Sequence, residues 1–180
     1  MPDPIALQSE RYDRTTIWLH WLTAALVLAL WCLGETIDWF PRGDARVYAR
    51  STHIALGTLL ALLLIVRVAW RATRGRRLPA AELGRLRWAA RVVHWLLYLL
   101  VAGAVLFGLA NVWVRGDAIF NLFRVPAFDA GNRALRAQIG DWHETLANAL
   151  LYLGVLHAAA GLWHYAVRKD RVLARMGIGR

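Results

Sequence analysis

Histidine is the residue type in this chain that could bind a metal or exchange protons near neutral pH. The chain has six histidines, and all of them lie in or at the edge of long apolar segments: His20, His53, His94, His143, His157 and His164. A single such histidine is commonly a structural residue that hydrogen bonds to a neighbouring helix. Six favour a functional site, because ionisable groups are rare in membrane-spanning segments and usually mark function there.

The spacing of two histidines predicts a helix that carries metal ligands at two depths. His143 and His157 are 14 residues apart, which is close to four helical turns. Both rings are therefore expected on one face of a helix, about 21 Å apart along its axis. Each ring would need a partner at its own depth on another helix.

Arginines that mark one membrane boundary give the depths of two further histidines. His20 lies six residues after the last arginine before the first apolar segment, and His53 lies 18 residues before Arg71. Their depths therefore differ by about 12 residues, or about 18 Å along a helix. This step nearly matches the 14-residue step within the last apolar segment. The predicted pairs are His20 with His157 and His53 with His143.

Two histidine pairs at two depths favour haem b as the cofactor, with two haems in all. Haem iron needs only axial ligands from the protein, whereas zinc sites usually gather three or four protein ligands. Glu144 adjoins His143 but points about 100° away around the helix, so it is a poor third ligand. Glycines could leave space for the macrocycles or serve close helix packing, and both roles stay open for Gly57, Gly103, Gly108 and Gly154.

The elements that carry these histidines are predicted to be membrane-spanning helices. The chain is 58% hydrophobic with a mean hydropathy of +0.38, above the roughly 45–50% typical of soluble domains. Four segments are long and nearly free of charge, and each reaches the roughly 20 residues that cross a bilayer: 15–36, 51–70, 92–114 and 143–167. The fold class is therefore predicted to be all-α, a four-helix transmembrane bundle forming a single domain over residues 1–180. The first segment is not expected to be a cleaved signal peptide, because its apolar run is too long.

The distribution of positive charge predicts the orientation of the bundle. The net charge is +10, and 15 of the 22 lysines and arginines lie in the head, the tail and the segment between the second and third spans. The positive-inside rule places both termini and that segment in the cytoplasm. Attraction to anionic lipid headgroups explains this charge, and nucleic acid is not an expected partner.

The sequence lacks the motifs of several other chemistries. Cys32 is the only cysteine, so an internal disulfide and the C-x-x-C-H attachment of c-type haem are excluded. The sequence also lacks the G-x-S-x-G elbow, the H-E-x-x-H zinc helix and the Walker A loop. Hydrolysis is therefore not predicted.

Several stretches resemble one known family. "RTTIWLHWLTAALVLAL", "HIALGTLLALLLIVRVAWR" and "DWHETLANALLYLGVLHAAAGLWHY" are similar to the bacterial cytochrome b561 family of di-haem membrane proteins. "WHETLAN" followed by "VLHAAAG" is the most specific part, and the likeness covers nearly the whole chain. The resemblance implies the same axial ligands as the depths do: His20, His53, His143 and His157.

The resemblance also implies a function. Electrons would be exchanged with the quinone pool, and some family members oxidise superoxide and reduce ubiquinone. The chain is therefore expected to oxidise periplasmic superoxide at the His53–His143 haem and to reduce ubiquinone at the His20–His157 haem, on the cytoplasmic side. His94 and His164 are candidates for quinone or proton contacts, with a structural role as the alternative.

Two arginines precede His53 by less than two helical turns. Arg46 and Arg50 are candidates for binding haem propionates, in the two-pronged geometry that guanidinium and carboxylate groups favour. Steering of anionic superoxide is a second role for them, although the outer loops as a whole are close to neutral.

Two other functions compete with this interpretation. A haem b anchor subunit would use the same four histidines to relay electrons between a separate dehydrogenase or hydrogenase and quinone. A histidine-lined transporter or proton channel would contain no haem. The sequence does not identify a protein partner.

Overall fold

Four long helices carry almost all of the regular structure. The computed structural model describes residues 11–81, 84–129 and 131–179. The helices are α1 (Arg14–Thr36), α2 (Asp44–Thr73), α3 (Gly84–Arg115) and α4 (Arg133–Trp163). All four are long and apolar enough to cross a membrane, so the predicted four-helix transmembrane bundle is confirmed. The first three predicted spans lie inside these helices, whereas the fourth, 143–167, runs past the end of α4 into the turn that follows it. The helices extend beyond the predicted spans by up to ten residues.

Short elements follow the helices. A 3₁₀ turn after α1 covers Ile37–Trp39, and a π-helical turn, His164–Arg168, continues directly from α4. Between α3 and α4 lie two short antiparallel strands, β1 (Ala118–Ile119) and β2 (Phe123–Arg124). Ser51 of α2 is fully buried beneath this hairpin: its hydroxyl donates to Ala118 O at 3.2 Å and accepts from Phe120 N at 2.8 Å. The hairpin is thereby fixed to α2.

The described segments before α1 and after α4 meet the described part of the connection between α2 and α3 at one end of the bundle, which we call the basic face. Tyr12 N donates to Arg175 O at 3.1 Å, and the Arg175 guanidinium donates to Pro79 O at 2.7 Å. Trp21 Nε1 reaches Met176 O at 3.0 Å, which holds the tail under α1. The α1–α2 connection and the hairpin lie at the opposite end, the outer face.

The buried core is small and lies at the centre of the bundle. It is formed by Leu26, Leu30, Leu60, Val101 and Leu150. Leu150 stands seven residues from each of the two histidines of α4, so the core separates their two levels. Many large apolar side chains elsewhere on the helices are exposed, as expected where lipid replaces water.

Candidate functional site

The outer pair of histidines joins α2 to α4. The ring centroids of His53 and His143 are 6.1 Å apart, and their planes cross at 87°. His143 Nδ1 donates to the backbone carbonyl of Ala104 at 2.9 Å. His53 Nδ1 is buried and has no partner that meets hydrogen-bond geometry. The backbone carbonyl of Leu30 is the acceptor that interacts with this ring. In both rings the Nε2 atom is therefore left for another ligand.

Glycines of two other helices make room for these rings. A Cβ atom on Gly108 of α3 would lie 3.0 Å from His143 Cε1, and one on Gly34 of α1 would lie 3.3 Å from His53 Cε1. Such approaches are too close for a side chain without a shift of the ring. The sequence had suggested Gly108 as a space-making residue, whereas Gly34 was not singled out.

The inner pair joins α1 to α4 nearer the basic face. The ring centroids of His20 and His157 are 6.2 Å apart, and their planes cross at 81°. Arg67 of α2 donates from Nη2 to His20 Nδ1 at 3.0 Å, while its guanidinium lies 5.3 Å from the centroid of the Tyr98 ring. The pairing predicted from depth is the one in which the structure brings the rings together.

Both pairs have the spacing that one metal ion between two imidazoles requires. With metal–nitrogen distances of about 2 Å on each side, the two ring centroids would lie about 6 Å apart. Gly57 and Gly154 face open space, with no atom within 4 Å of an added Cβ, so they leave room beside the pairs. Among the described residues, no group of three or more His, Cys, Asp or Glu side chains could hold a metal ion. The donor set thus fits two-ligand binding of a porphyrin iron at each level.

The sequence matches one family model over almost its full length. Residues 11–179 match the model of the prokaryotic cytochrome b561 family. The chain belongs to this family. Cytochrome b561 proteins bind haem b and transfer electrons in the membrane, so this chain is an integral membrane electron-transfer protein of the haem b type.

Relatives from several bacteria agree with the family assignment. Cytochrome b561 homolog 1 of Escherichia coli (strain K12) is 31% identical over 170 residues, covering 92% of this chain and 96% of that protein. Cytochrome b561 homolog 2 of the same strain is 33% identical over 173 residues, covering 93% and 91%. A protein of Yersinia pestis named "Probable superoxide oxidase CybB" is 28% identical over 174 residues, covering 93% and 96%.

The remaining histidines of this cytochrome b561-family chain lie near the basic face, in two different environments. His94 of α3 has its ring centroid 5.3 Å from that of His157, and its Nδ1 donates to Ala90 O at 2.6 Å. His164, in the π-helical turn, donates from Nδ1 to Asp170 Oδ2 at 2.6 Å. His94 is thus a direct neighbour of the inner pair, whereas His164 belongs to the segment that leads into the tail.

Asp170 is held in its charged form. Slight burial raises the pKa of its carboxyl, but hydrogen bonds from His164 and from the backbone N–H of Val172, with the charges of His164 and Arg168, outweigh that effect. The pKa of Asp170 therefore lies below its usual range. A carboxylate so held accepts the hydrogen bond from His164 and keeps the proton of that ring on Nδ1.

The two arginines predicted near the outer pair have different partners. Arg46 Nη1 lies 3.2 Å from Asp38 Oδ1, and the same guanidinium donates to Phe40 O, so it is bound within the α1–α2 connection. Arg50 Nη1 lies 3.8 Å from Asp117 Oδ1, and Arg115 Nε lies 3.5 Å from the same atom.

Asp117 is the centre of an arginine group at the outer face. Burial raises the pKa of its carboxyl, while four arginines lower it, and burial prevails. These four are Arg115, Arg50, Arg124 and Arg136, which we call the outer arginine group. Four guanidinium groups around one carboxylate leave this part of the outer face positive, although the loops as a whole are close to neutral.

Sequence reasoning missed Arg67, Asp117 and Asp170 as members of these environments. Arg67 had a usable signal, because it is a charged residue inside a predicted span, where charge usually serves a function. Asp117 contacts Arg50, and Asp170 contacts His164, only in the folded chain. Sequence spacing alone therefore gave no signal for either aspartate.

Proposed function

We propose that the chain binds two b haems, one at each histidine pair, and carries electrons from superoxide at the outer face to ubiquinone near the basic face. The observation that supports this most is the presence of two facing histidine pairs at two depths, separated by an apolar core. One pair near each face allows electrons to cross most of the bilayer within a single chain. When bound, each haem b supplies a one-electron Fe(III)/Fe(II) couple.

The outer arginine group supports an anionic electron donor. Its charge is concentrated around buried Asp117, where a surplus of positive charge attracts small anions. Arg50 lies three residues before His53 in α2, one helical turn away on a neighbouring part of the same face. Arg50 thus bridges the positive region and the outer pair, and it can also bind a haem propionate. Arg46 keeps the same two proposed roles, although its guanidinium already has carbonyl partners.

The basic face supports quinone reduction. His94 is an exposed side chain of α3 beside the inner pair, so a quinone arriving from the lipid can reach its ring. The Nδ1 proton of His94 is engaged by Ala90 O, which leaves Nε2 directed elsewhere. His164, poised by Asp170, is placed to pass protons from the cytoplasm.

The overall reaction balances in electrons and protons. Two superoxide ions each lose one electron and become O₂. One ubiquinone takes up these two electrons and two protons and becomes ubiquinol. The protons enter from the basic face, which we assign to the cytoplasm because the positive-inside rule favours it. The membrane is accordingly the inner membrane, and the name of the Yersinia relative supports superoxide as donor.

The isolated chain provides the test. The purified protein should show the reduced-minus-oxidised spectrum of b haem, with two haems per chain. Superoxide added to the oxidised protein should reduce the haem at once, and a water-soluble ubiquinone analogue should then reoxidise it. Superoxide dismutase added first should abolish the reduction, which controls for other reductants.

Two outcomes would contradict parts of this proposal. A purified protein without b-haem absorbance would exclude electron transfer through these histidines. It would favour the alternative of a histidine-lined transporter or proton channel. A protein with haem that reacts slowly with superoxide but co-purifies with a dehydrogenase or hydrogenase would establish the alternative function, a haem b anchor subunit.

A further inference from the structure

We propose that Arg67 raises the reduction potential of the haem at the inner pair above that of the haem at the outer pair, so that electrons are drawn towards the basic face. This inference rests on the proposed binding of one haem at each pair. It concerns a residue outside the predicted ligand set, and it assigns the direction of electron flow within the chain.

Arg67 is fixed beside the inner pair by two contacts. Its Nη2 atom lies 3.0 Å from His20 Nδ1, and its guanidinium lies over the Tyr98 ring at 5.3 Å. An arginine carries a full positive charge, which therefore lies within a few ångströms of the His20 ring. His157 faces His20 with the ring centroids 6.2 Å apart, so the same guanidinium lies on the side of the inner pair.

The rings of the outer pair lie beside backbone carbonyls and not beside a guanidinium. His143 donates its Nδ1 proton to the Ala104 carbonyl, and the Leu30 carbonyl is the acceptor near His53. The rings of His53 and His143 face each other, with their centroids 6.1 Å apart. Arg50 and Arg115 of the outer arginine group lie 3.8 and 3.5 Å from Asp117 Oδ1.

These differences shift the two potentials in opposite directions. A histidine that donates its second N–H to a carbonyl is a more basic ligand and stabilises the oxidised metal. A nearby positive charge stabilises the reduced metal. The low dielectric of a span screens this charge much less than water would. Both effects place the inner haem at the higher potential.

The contact between Arg67 and His20 also has a consequence for haem binding. Arg67 can donate to Nδ1 only while that atom carries a lone pair, but a neutral ring that binds iron through Nε2 carries its proton on Nδ1. The hydrogen bond would therefore be released if His20 bound iron through Nε2, whereas the Tyr98 contact would still hold the guanidinium nearby. The charge acts through space and does not need the hydrogen bond.

A higher inner potential has a clear use in the proposed direction of transfer. An electron that moves from the outer face to the cytoplasmic face works against a membrane potential that is negative inside. The positive charge of Arg67 offsets this work at the level of the inner pair. It also disfavours return of the electron to the outer pair before the second electron arrives.

The test is a spectroscopic redox titration of the holoprotein and three variants. The wild-type chain should show two midpoint potentials, and Arg67→Gln should lower only the higher one. The expected shift is a tenfold or larger change in the ratio of reduced to oxidised haem, about 59 mV for one electron. Arg67→Lys should restore most of the difference, since it keeps the charge. Arg74→Gln, which removes an exposed charge of the same helix end, should leave both potentials unchanged.

The order of the potentials is measured independently of any Arg67 variant. His53→Ala, which is expected to keep the inner haem alone, should titrate at the higher potential. A lower value for that haem, or an Arg67→Gln protein with two haems and unchanged potentials, would overturn the inference. A chain that binds no haem would instead contradict the proposed function, so the two failures are distinguishable.

Discussion

The four proposed ligands differ in what their second ring nitrogen contacts, and this difference is visible only at the scale of single residues. His143 faces a carbonyl, while His20 faces the guanidinium of Arg67. Ring identity alone would have made the two pairs equivalent. Their surroundings make the pairs chemically distinct, which is what a directional electron carrier needs.

Replacing single ligands should remove single haems. His53→Ala or His143→Ala should abolish binding at the outer pair, and His20→Ala or His157→Ala should abolish binding at the inner pair, because one imidazole cannot hold the iron with two axial bonds. The measurement is haem per protein, together with redox titration of the haem that remains. His94→Ala is the control and should keep both haems. If all four ligand variants retained two haems, the ligand assignment would be wrong.

The pair formed by His164 and Asp170 should matter for quinone reduction and not for haem content. We expect His164→Gln to slow reduction of a quinone analogue by roughly tenfold or more. This is below the typical effect of about 10²–10⁴ for a general acid–base group, because water can partly replace the ring. Asp170→Asn should act in the same direction, since an amide does not hold the ring in one tautomer. Lys169→Gln is the control, because it removes a neighbouring exposed charge and keeps the contacts of Asp170 with His164 and Arg168. Unchanged turnover in both test variants would show that His164 has a structural role and no role in quinone reduction.

The pH dependence of that pair follows from the direction of the Asp170 shift. Its pKa lies below the ordinary value of 3.8, so the Asp170 carboxylate is fully charged above that value and loses its charge as the pH falls through the lowered pKa. Loss of activity around neutral pH therefore cannot be assigned to protonation of Asp170.

Much of the site could be predicted because helices convert sequence spacing into depth. With a rise of about 1.5 Å per residue, the distance of each histidine from a boundary arginine gives its depth in the membrane. The rings expected at equal depth have their centroids 6.1 and 6.2 Å apart. The lateral neighbours could not be predicted in this way. Which side chain of a third helix faces His20 depends on helix rotation and crossing, and spacing along one helix does not fix either.

At the scale of the elements, the sequence predicted the four spans but not the structure that joins them. The hairpin between α3 and α4 depends on Ser51, a small polar residue of α2 that is 67 residues away from Ala118. The π-helical turn after α4 widens the helix where His164 pairs with Asp170. Such turns often occur at functional sites, but no periodic pattern announces them.

Asp13 should be the residue on which the assembly of the basic face depends most. It caps α1 by accepting from Thr16 N at 2.8 Å, and it also accepts from Trp70 Nε1 and Arg76 N, both at 3.0 Å. Slight burial raises the pKa of this carboxyl, but the hydrogen bonds outweigh it and the pKa is strongly lowered. The charged form therefore links α1, the end of α2 and the following segment.

Removing this carboxylate should destabilise the protein. Loss of a helix N-cap typically costs about 1 kcal/mol, within a range of about 0.5–2 kcal/mol. Asp13→Ala should lower the free energy of unfolding by at least about 1 kcal/mol, because it removes two further hydrogen bonds as well. Thermal unfolding in detergent, followed by the helical signal, is the measurement. Asp129→Ala, which removes an exposed acid at the outer face, is the control. The stabilisation should persist above the ordinary carboxyl pKa and fall only in strong acid; a Tm equal to that of the control would contradict this role.

At the scale of the whole molecule, charge and cofactor levels follow the same axis. The basic face contains the described segments before α1 and after α4, the described part of the α2–α3 connection, the inner pair and the proposed proton path. The outer face contains the outer pair and the arginine group around Asp117. The apolar core around Leu150 lies between the two levels.

The orientation of this axis in the membrane decides which substrates meet which haem, and the single cysteine makes it measurable. In a Cys32→Ser background, one new cysteine at Arg77 of the basic face or at Phe128 of the outer face can be labelled in intact cells. A membrane-impermeant maleimide should label Phe128→Cys at once and Arg77→Cys only after the cells are broken, because the arginine-rich segment stays in the cytoplasm. The reverse pattern would place the outer pair in the cytoplasm. Periplasmic superoxide would then meet the face that lacks the outer arginine group, and the proposed direction of electron flow would have to be reversed.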